Sequence, residues 1–377
     1  MGTTYISNDQ YRSMSKQLAL WAPEMASNGG VQSYMWRLWE MLHEIAKEQQ
    51  FPTPLGLSLM DTPEAMSNWP CTTATKPECA SKSRASFIQY CFQPKYKDAF
   101  VLVGHPYQAP AAYLAKKLGH IKGYAVILHG IESWERMSWM RRLALKATST
   151  NIATTRYTAQ ECARHNDLTE QQFTVIPLCA DPNPAKPDKN FKLLGNFPIL
   201  FVGRLAISER YKGLETLLHS VTTLMSKGYD VTLHVIGDGD DKPYLERTST
   251  NLGLSKQNVV FHGRVTDEIL QAAYSQCKIF AMPSKKEGFG IVFLEAMRWG
   301  KPCIGGNYGG TPDVIKHGEN GFLVEYGNIS EIVKTIQILI ENDSVLHRMG
   351  EKSKEMLEHE FSFAKFLSNY QELVYVL

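Results

Sequence analysis

The feature that most constrains this chain is a repeated alternation of short, unbroken apolar runs with longer stretches of helical periodicity. Runs such as Phe100–Val103, Tyr124–Leu128 and Ile279–Met282 contain no polar residue facing a second side. Strands of that kind must be buried on both faces, as they are in a parallel sheet covered by helices. The alternation comes in two blocks. In the first, apolar runs at Leu18–Trp21, Leu55–Met60, Phe100–Val103, Tyr124–Leu128 and Phe173–Ile176 are separated by helical patterns at Val31–Ile45, Ala109–Leu118 and Met137–Ala147. The stretch from Asp61 to Arg84, rich in Pro, Thr and Ser, breaks this rhythm and is expected to be a surface excursion.

The rhythm restarts after Asp181–Asn190, where Pro and Asn interrupt either period and mark a linker. Strands are predicted at Ile199–Val202, Val231–Ile236, Val259–Phe261, Ile279–Met282, Cys303–Ile304 and Phe322–Val324. Helices are predicted at Leu214–Met225, Tyr244–Leu252, Asp267–Tyr274, Ile291–Trp299, Ser330–Glu341, Ser344–His359 and Phe361–Val374. A chain of 377 residues is long enough for two such cores. The expected organisation is therefore α/β: two Rossmann-like, doubly wound parallel-sheet domains, residues 1–185 and 186–360, with a last helix at 361–377 that could cross back to the first. In that arrangement a ligand is expected in a cleft outside the carboxyl ends of the strands.

Charge and cysteine usage exclude several classes. Forty basic and thirty-eight acidic side chains leave a formal charge of +2, which argues against nucleic acid as the main partner. No run approaches the length of a membrane span, and the polar segment Met1–Lys16 does not read as a secretory signal. Gly2 fits no myristoylation pattern, because Ile6 stands where Ser or Thr is required. The seven cysteines are scattered without a C-x-x-C pair, and settings such as Cys277 read as buried thiols of a reducing, cytoplasmic environment.

Chemistry is most legible between Met282 and Ala296. A buried strand ends at Pro283, a glycine-flanked loop follows, and a helix begins near Gly290. Glycines there let backbone N–H groups approach an anion at the helix N-terminus, where the dipole favours phosphate. Glu287 stands in the loop and Glu295 in the second helical turn, so both can accept hydrogen bonds from vicinal hydroxyls. Taken alone, the loop is equally well read as a turn before a capped helix. Arg204, after a strand end, and Lys212, at the start of the next helix, are two further cations expected at the cleft mouth.

The ordered set of segments resembles the retaining family-4 glycosyltransferases of the GT-B fold. The likeness is carried by Glu287 and Glu295 as E-x7-E, by Phe201–Leu205, Lys212–Leu217, Val235–Gly239, Phe261–Val265 and Gly309–Asp313. The first half matches more weakly, at Gly29-Gly30, His129-Gly130 and Val175–Pro177. Two departures stand out. Leu178–Asp181 replaces the usual Asn-Gly before Asp, and Asp313 replaces the more frequent Glu.

The resemblance implies transfer of a hexosyl group from a nucleotide-diphosphate sugar, UDP or GDP, to a sugar or lipid-linked glycan acceptor in bacterial glycan assembly. No cofactor and no metal are implied. Arg204 and Lys212 would clamp the diphosphate, with Arg210 sharing that role. Glu287 would attend the sugar and Glu295 the ribose. Gly288, Phe289 and Gly290 would offer backbone N–H groups. Gly263, Arg264 and Val265 would form the nucleobase turn. Gly29 and Gly30 would meet the donor phosphate, and His129 would orient the reacting hydroxyl, with His105 and Glu132 as acceptor candidates. Retention without an evident nucleophile points to front-face substitution, the leaving phosphate helping to take the acceptor proton.

Between Ser133 and Lys146, Trp134, Met137, Trp139, Met140 and Leu143 mix with Arg136, Arg141, Arg142 and Lys146. Read as one amphipathic helix, this would bring the chain peripherally to the inner face of a membrane. The competing expectation is a helix packed on the sheet with a solvated basic face. Three other readings of the whole chain share parts of the pattern: a GT-B-like nucleotide-sugar epimerase, a phosphorylase-like enzyme with a pyridoxal cofactor, and a non-catalytic nucleotide-sugar binder. The intact set of Glu287, Glu295, Arg204 and Lys212 favours the transferase.

Overall fold

The computed structural model describes residues 16–27, 29–68 and 74–376. The segment read above as Met1–Lys16, up to Ser15, and Cys71 lie outside them. The chain divides into two compact units. One comprises residues 1–154, 158–176 and 367–377, the other residues 155–157 and 177–366. The division thus falls at 176/177 and 366/367, where the sequence suggested 185/186 and 360/361.

The first unit is built on strands β1 (Leu18–Ala22), β2 (Leu55–Ser58), β3 (Glu78–Cys79), β4 (Phe100–Val103), β5 (Gly123–Leu128), β6 (Thr150–Ala153) and β7 (Phe173–Val175). They form one parallel sheet in the order β3-β2-β1-β4-β5-β6-β7. Helices α1 (Gly30–Gln49), α2 (Arg84–Cys91), α3 (Ala109–Lys117), α4 (Trp139–Lys146) and α5 (Arg156–Asn166) make the crossovers. Strands β1, β4 and β5 are buried at every position, as unbroken apolar runs require.

The second unit repeats the plan with β8 (Pro198–Val202), β9 (Thr232–Ile236), β10 (Val259–Gly263), β11 (Ile279–Met282), β12 (Cys303–Gly306) and β13 (Gly321–Val324). Their order is β10-β9-β8-β11-β12-β13, again all parallel. Helices α6 (Leu214–Ser226), α7 (Lys242–Asn251), α8 (Asp267–Gln276), α9 (Ile291–Arg298), α10 (Thr311–Val314), α11 (Ile329–Glu341) and α12 (Asp343–Glu360) cover it. Side chains cap several of them: Thr266 accepts from the Ile269 N–H and Asn328 from the Glu331 N–H. The final helix, α13 (Phe363–Val376), contributes its residues from Leu367 onward to the first unit. There the Tyr370 hydroxyl meets that of Tyr34 at 2.5 Å in the core, and the Lys16 amine donates to the Val374 carbonyl at 2.6 Å.

Two expectations are corrected. The Asp61–Arg84 stretch is not merely a surface excursion, because it supplies the edge strand β3, paired with β2. Asp61 itself is buried and accepts from the Met25 and Ala26 N–H groups and the Ser58 hydroxyl. The amphipathic helix read from Ser133 to Lys146 is only α4, Trp139–Lys146; Ile131–Ser133 is a separate 3-10 turn. The Met137 N–H is held by the Asn166 side chain rather than by a helical carbonyl.

Candidate active site

In each sheet the strand order reverses at one point, β1/β4 in the first unit and β8/β11 in the second. Loops leaving the carboxyl ends of two strands that wind in opposite directions open a crevice between them. In the second unit these are the loop from Gly203 to Lys212 after β8 and the loop from Ser284 to Gly290 after β11. Of the residues singled out in the sequence, Arg204, Lys212, Glu287, Gly288, Phe289 and Gly290 lie on those two loops, and Glu295 follows in α9.

The first loop is locked at both ends by glycines that admit no side chain. An added Cβ at Gly237 would lie 1.8 Å from the Gly203 carbonyl, and one at Gly239 would lie 2.2 Å from that of Leu205. Gly213, at φ +82°, ends the loop, and its Cβ would lie 2.4 Å from the Pro283 carbonyl oxygen. Across the same seam the Lys285 N–H donates to the Tyr211 carbonyl at 2.7 Å. Lys212 is thereby held against the second loop, its stem lying over Gly203.

Arg204 and Lys212 converge on a residue the sequence reading passed over. Glu209 accepts from Lys212 Nζ at 2.6 Å and lies 3.3 Å from Arg204 Nε. Lys212 and Glu209 are 18% and 15% exposed, whereas the Arg204 side chain is 70% exposed. Tyr211 completes the group: burial first, then the charges of Glu209 and Glu287, push its phenol up to about 12. The spacing Glu209–Lys212 is i, i+3, a signal present in the sequence. Arg210, expected to share the phosphate role, is engaged elsewhere. Its guanidinium forks onto both oxygens of buried Asp241, at 2.8 and 2.5 Å, and stacks on the Tyr244 ring at 4.1 Å.

The second loop presents Glu287, half-buried beside this cluster. Burial raises its carboxyl pKa, Lys212 pulls it back, and Glu209 pushes it further up. The Glu287 carbonyl accepts from the Gly310 N–H at 2.7 Å, and a Cβ on Gly310 would lie 2.0 Å from the Gly288 carbonyl, so the Gly309-Gly310 turn is the floor of the loop. Phe289 turns its ring inward against Phe361, leaving its backbone at the loop. Gly290 caps α9 at φ +88°, where a Cβ would strike the Phe293 ring at 2.5 Å. One and a half turns into α9, Glu295 accepts from the hydroxyl of buried Tyr274 at 2.7 Å, a partner not foreseen.

The third expected element follows β10. Gly263 adopts φ +70° and its carbonyl accepts from the Gly237 N–H at 2.9 Å, so the turn adjoins the rim of the first loop. Arg264 is exposed and Val265 half-buried. Beneath them His262 and His234 pair at 3.0 Å, and His234 Nε2 meets the Leu194 carbonyl at 2.9 Å.

Gly29 and Gly30 begin α1 after β1, and a Cβ on Gly30 would meet nothing within 4 Å, so the fold does not demand glycine there. His129, at the end of β5, is held three ways: its N–H donates to Glu132 at 2.6 Å, its carbonyl accepts from Thr154, and Nε2 lies 2.8 Å from the Gly104 carbonyl. A carbonyl can only accept, so Nε2 carries the proton and Nδ1 the lone pair of the neutral ring. His105 stacks on Tyr107 with centroids 4.7 Å apart, and burial lowers its pKa to about 4. Arg141 lies over the same Tyr107 ring at 3.8 Å.

Comparison with known proteins bears on the second unit most directly. Residues 183–356 match the glycosyl transferases group 1 model. Over these residues, just under half of its length, the chain is similar to the glycosyl transferases group 1. Among its relatives, the capsular polysaccharide biosynthesis glycosyltransferase CapM of Staphylococcus aureus is 30% identical over 234 residues, 59% of this chain and 60% of CapM. The N-acetyl-alpha-D-glucosaminyl L-malate synthase of Bacillus anthracis is 36% identical over 148 residues, 39% of this chain and 38% of that one. The chain thus spans less than two thirds of the length of either relative. In solved structures, HepE of Anabaena in complex with UDP superposes with a TM-score of 0.79 at 19% identity, covering 96% of this chain and 100% of HepE. The lipopolysaccharide outer core galactosyltransferase WaaB, in its apo form, gives 0.71 at 18% identity over 96% and 99% of the chains. The fold is GT-B in kind, two parallel-sheet α/β units.

Proposed function

We propose that this chain is a glycosyltransferase of group 1 that transfers a hexosyl group from a nucleotide-diphosphate sugar to a hydroxyl acceptor, with retention of configuration and without a bound metal. The observation that carries the reading is the convergence of Arg204 and Lys212 on one half-buried carboxylate, that of Glu209, at the strand-order reversal. Two fixed cations at that place suit a leaving diphosphate, whose negative charge grows as the glycosidic bond breaks. Glu287, with its carboxyl pKa raised by burial, is a suitable acceptor for sugar hydroxyls beside them. Glu295, oriented by Tyr274, is suited to the ribose. The lone pair on His129 Nδ1 suits a role in orienting a hydroxyl. Front-face substitution fits this set, since the departing phosphate can take the acceptor proton itself.

UDP is the first nucleotide to test, with GDP next, because HepE is described bound to UDP and to UDP-glucose. The CapM likeness supports a place in bacterial polysaccharide assembly. Among the described residues no helix is long and apolar enough to cross a membrane. A peripheral contact is supported by α4, where Trp139 is 66% exposed beside exposed Met140 and Leu143. A thermal-shift screen with UDP, GDP and ADP tests the donor site, since a ligand binding only the folded state raises its stability. No shift with any of them sinks the reading. Inversion at the product anomer by NMR would overturn retention, and activity abolished by EDTA would overturn metal independence.

A further inference from the structure

Glu209 occupies the place that an anionic ligand of Arg204 and Lys212 would take. We infer that Glu209 is an internal counterion that the donor's diphosphate displaces, and that its return helps release the nucleotide product. The inference rests on the reading of Arg204 and Lys212 as the diphosphate site.

The backbone on both sides of Glu209 is tethered. The Ile207 N–H donates to Asp240 at 2.9 Å, Arg210 is forked onto Asp241, and Tyr211 and Gly213 are fastened to the Pro283–Lys285 strand end. Between those anchors Glu209 breaks two 3-10 turns at φ −114°, ψ 17°. What remains to move is the Glu209 side chain, not the loop. In its present rotamer it takes one of the three Lys212 donors and the Nε of Arg204, leaving the guanidinium's two terminal nitrogens outside this pair. A diphosphate oxygen arriving at Lys212 must therefore replace a carboxylate with a phosphate, and the like charge of Glu209 and Glu287 opposes its stay. A site of this kind gives up affinity for release, which matters where product departure limits turnover.

The test is titration of UDP, GDP and ADP into wild-type, Glu209→Gln, Glu209→Asp and Lys212→Ala proteins, with the parent nucleosides as controls. Glu209→Gln is expected to bind the preferred nucleotide about tenfold more tightly, through a slower off-rate, with nucleoside binding unchanged. Glu209→Asp, which keeps the charge at shorter reach, should fall between. In turnover Glu209→Gln should lower KM and kcat together. Unchanged or weaker nucleotide binding by Glu209→Gln, while Lys212→Ala loses it, overturns the counterion and leaves the diphosphate site standing. A gain that extends equally to the nucleoside also overturns it. Binding of none of the nucleotides, or binding unaffected by Lys212→Ala, overturns both. Should Glu209→Gln fail to fold, Glu209→Asp decides by the same comparison.

Discussion

Tyr274 and Glu295 are joined by a hydrogen bond of 2.7 Å, the phenol donating to Oε2 of the carboxylate. Tyr274 is fully buried on α8, and burial followed by the neighbouring carboxylate raises its pKa well above the ordinary value, so it stays a donor. One oxygen of Glu295 is thus fixed from below, and the rotation of its carboxylate is set before any ligand arrives.

Tyr274→Phe should therefore weaken nucleotide binding by about three- to tenfold and cost about 1 kcal/mol of stability, the usual net worth of one such bond. Glu295→Ala should weaken binding further. Calorimetric titration with the nucleotide and urea unfolding measure the two effects separately. Wild-type affinity in Tyr274→Phe would show that Glu295 needs no such orientation.

Gly213 offers a contrast within one residue type. Gly213→Ala is strained by its φ of +82° and drives a methyl to within 2.4 Å of the Pro283 carbonyl oxygen, a backbone atom that cannot yield. It should cost about 2 kcal/mol or more and slow transfer by displacing the adjacent Lys212. Gly228→Ala shares a φ of +85° but meets nothing within 4 Å. It should cost only about 1 kcal/mol and leave kcat/KM unchanged. Equal losses of activity in the two variants would mean that Lys212 placement is not at issue.

How much of this was legible in the sequence depended on whether burial left a compositional mark. Strands with unbroken apolar runs, β4, β5 and β11, were read almost to the residue because nothing else explains such runs. Strand β6 (TNIA) was missed because its buried Asn151, whose amide donates to the Leu145 and Gln172 carbonyls, makes a core position look polar. Helix α5 was missed because its buried face is small and mixed: Thr158, Ala159, Cys162 and Ala163. At the candidate site, Arg204, Lys212, Glu287 and Glu295 were singled out through their place in ordered motifs. Glu209 and Tyr274 were not, since their role lies in what they touch. The partner of Arg210 was hidden for the same reason: only the structure shows Asp241 opposite it.

The His234–His262 pair sets a pH dependence of stability. His234 Nε2 must donate to the Leu194 carbonyl, so its Nδ1 accepts from His262 Nε2–H, and the bond requires a neutral His234. Burial, then the charge of His234, lowers His262 from an ordinary 6.5 to about 4, and burial lowers His234 as well. The unfolded chain therefore binds more protons between those values. This contribution is complete above about pH 6.5 and is lost as pH falls toward 4. His262→Gln, which can keep a donor toward His234, should narrow the difference in unfolding midpoint between pH 7.5 and pH 5 (about the range where histidine titrates). An undiminished difference would place the dependence elsewhere.

Arg204 and Arg210 lie six residues apart on one loop and should fail in opposite ways. Asp241 is 2% exposed, and removing Arg210 leaves its carboxylate buried without the guanidinium that forks onto it. Arg210→Ala should therefore lower the unfolding midpoint clearly, while a nucleotide concentration high enough to saturate the folded protein should still bind. Arg204 is 70% exposed and pairs only at 3.3 Å, so little of the fold leans on it. Arg204→Ala should unfold like wild type yet lose about tenfold or more in nucleotide affinity and in kcat/KM. Arg204→Lys should recover only part, because a point charge does not replace a planar fork on phosphate oxygens. Thermal unfolding and nucleotide titration on the three variants separate these outcomes. If Arg210→Ala instead lost affinity at unchanged stability, Arg210 would be a phosphate ligand and its pairing with Asp241 a resting state.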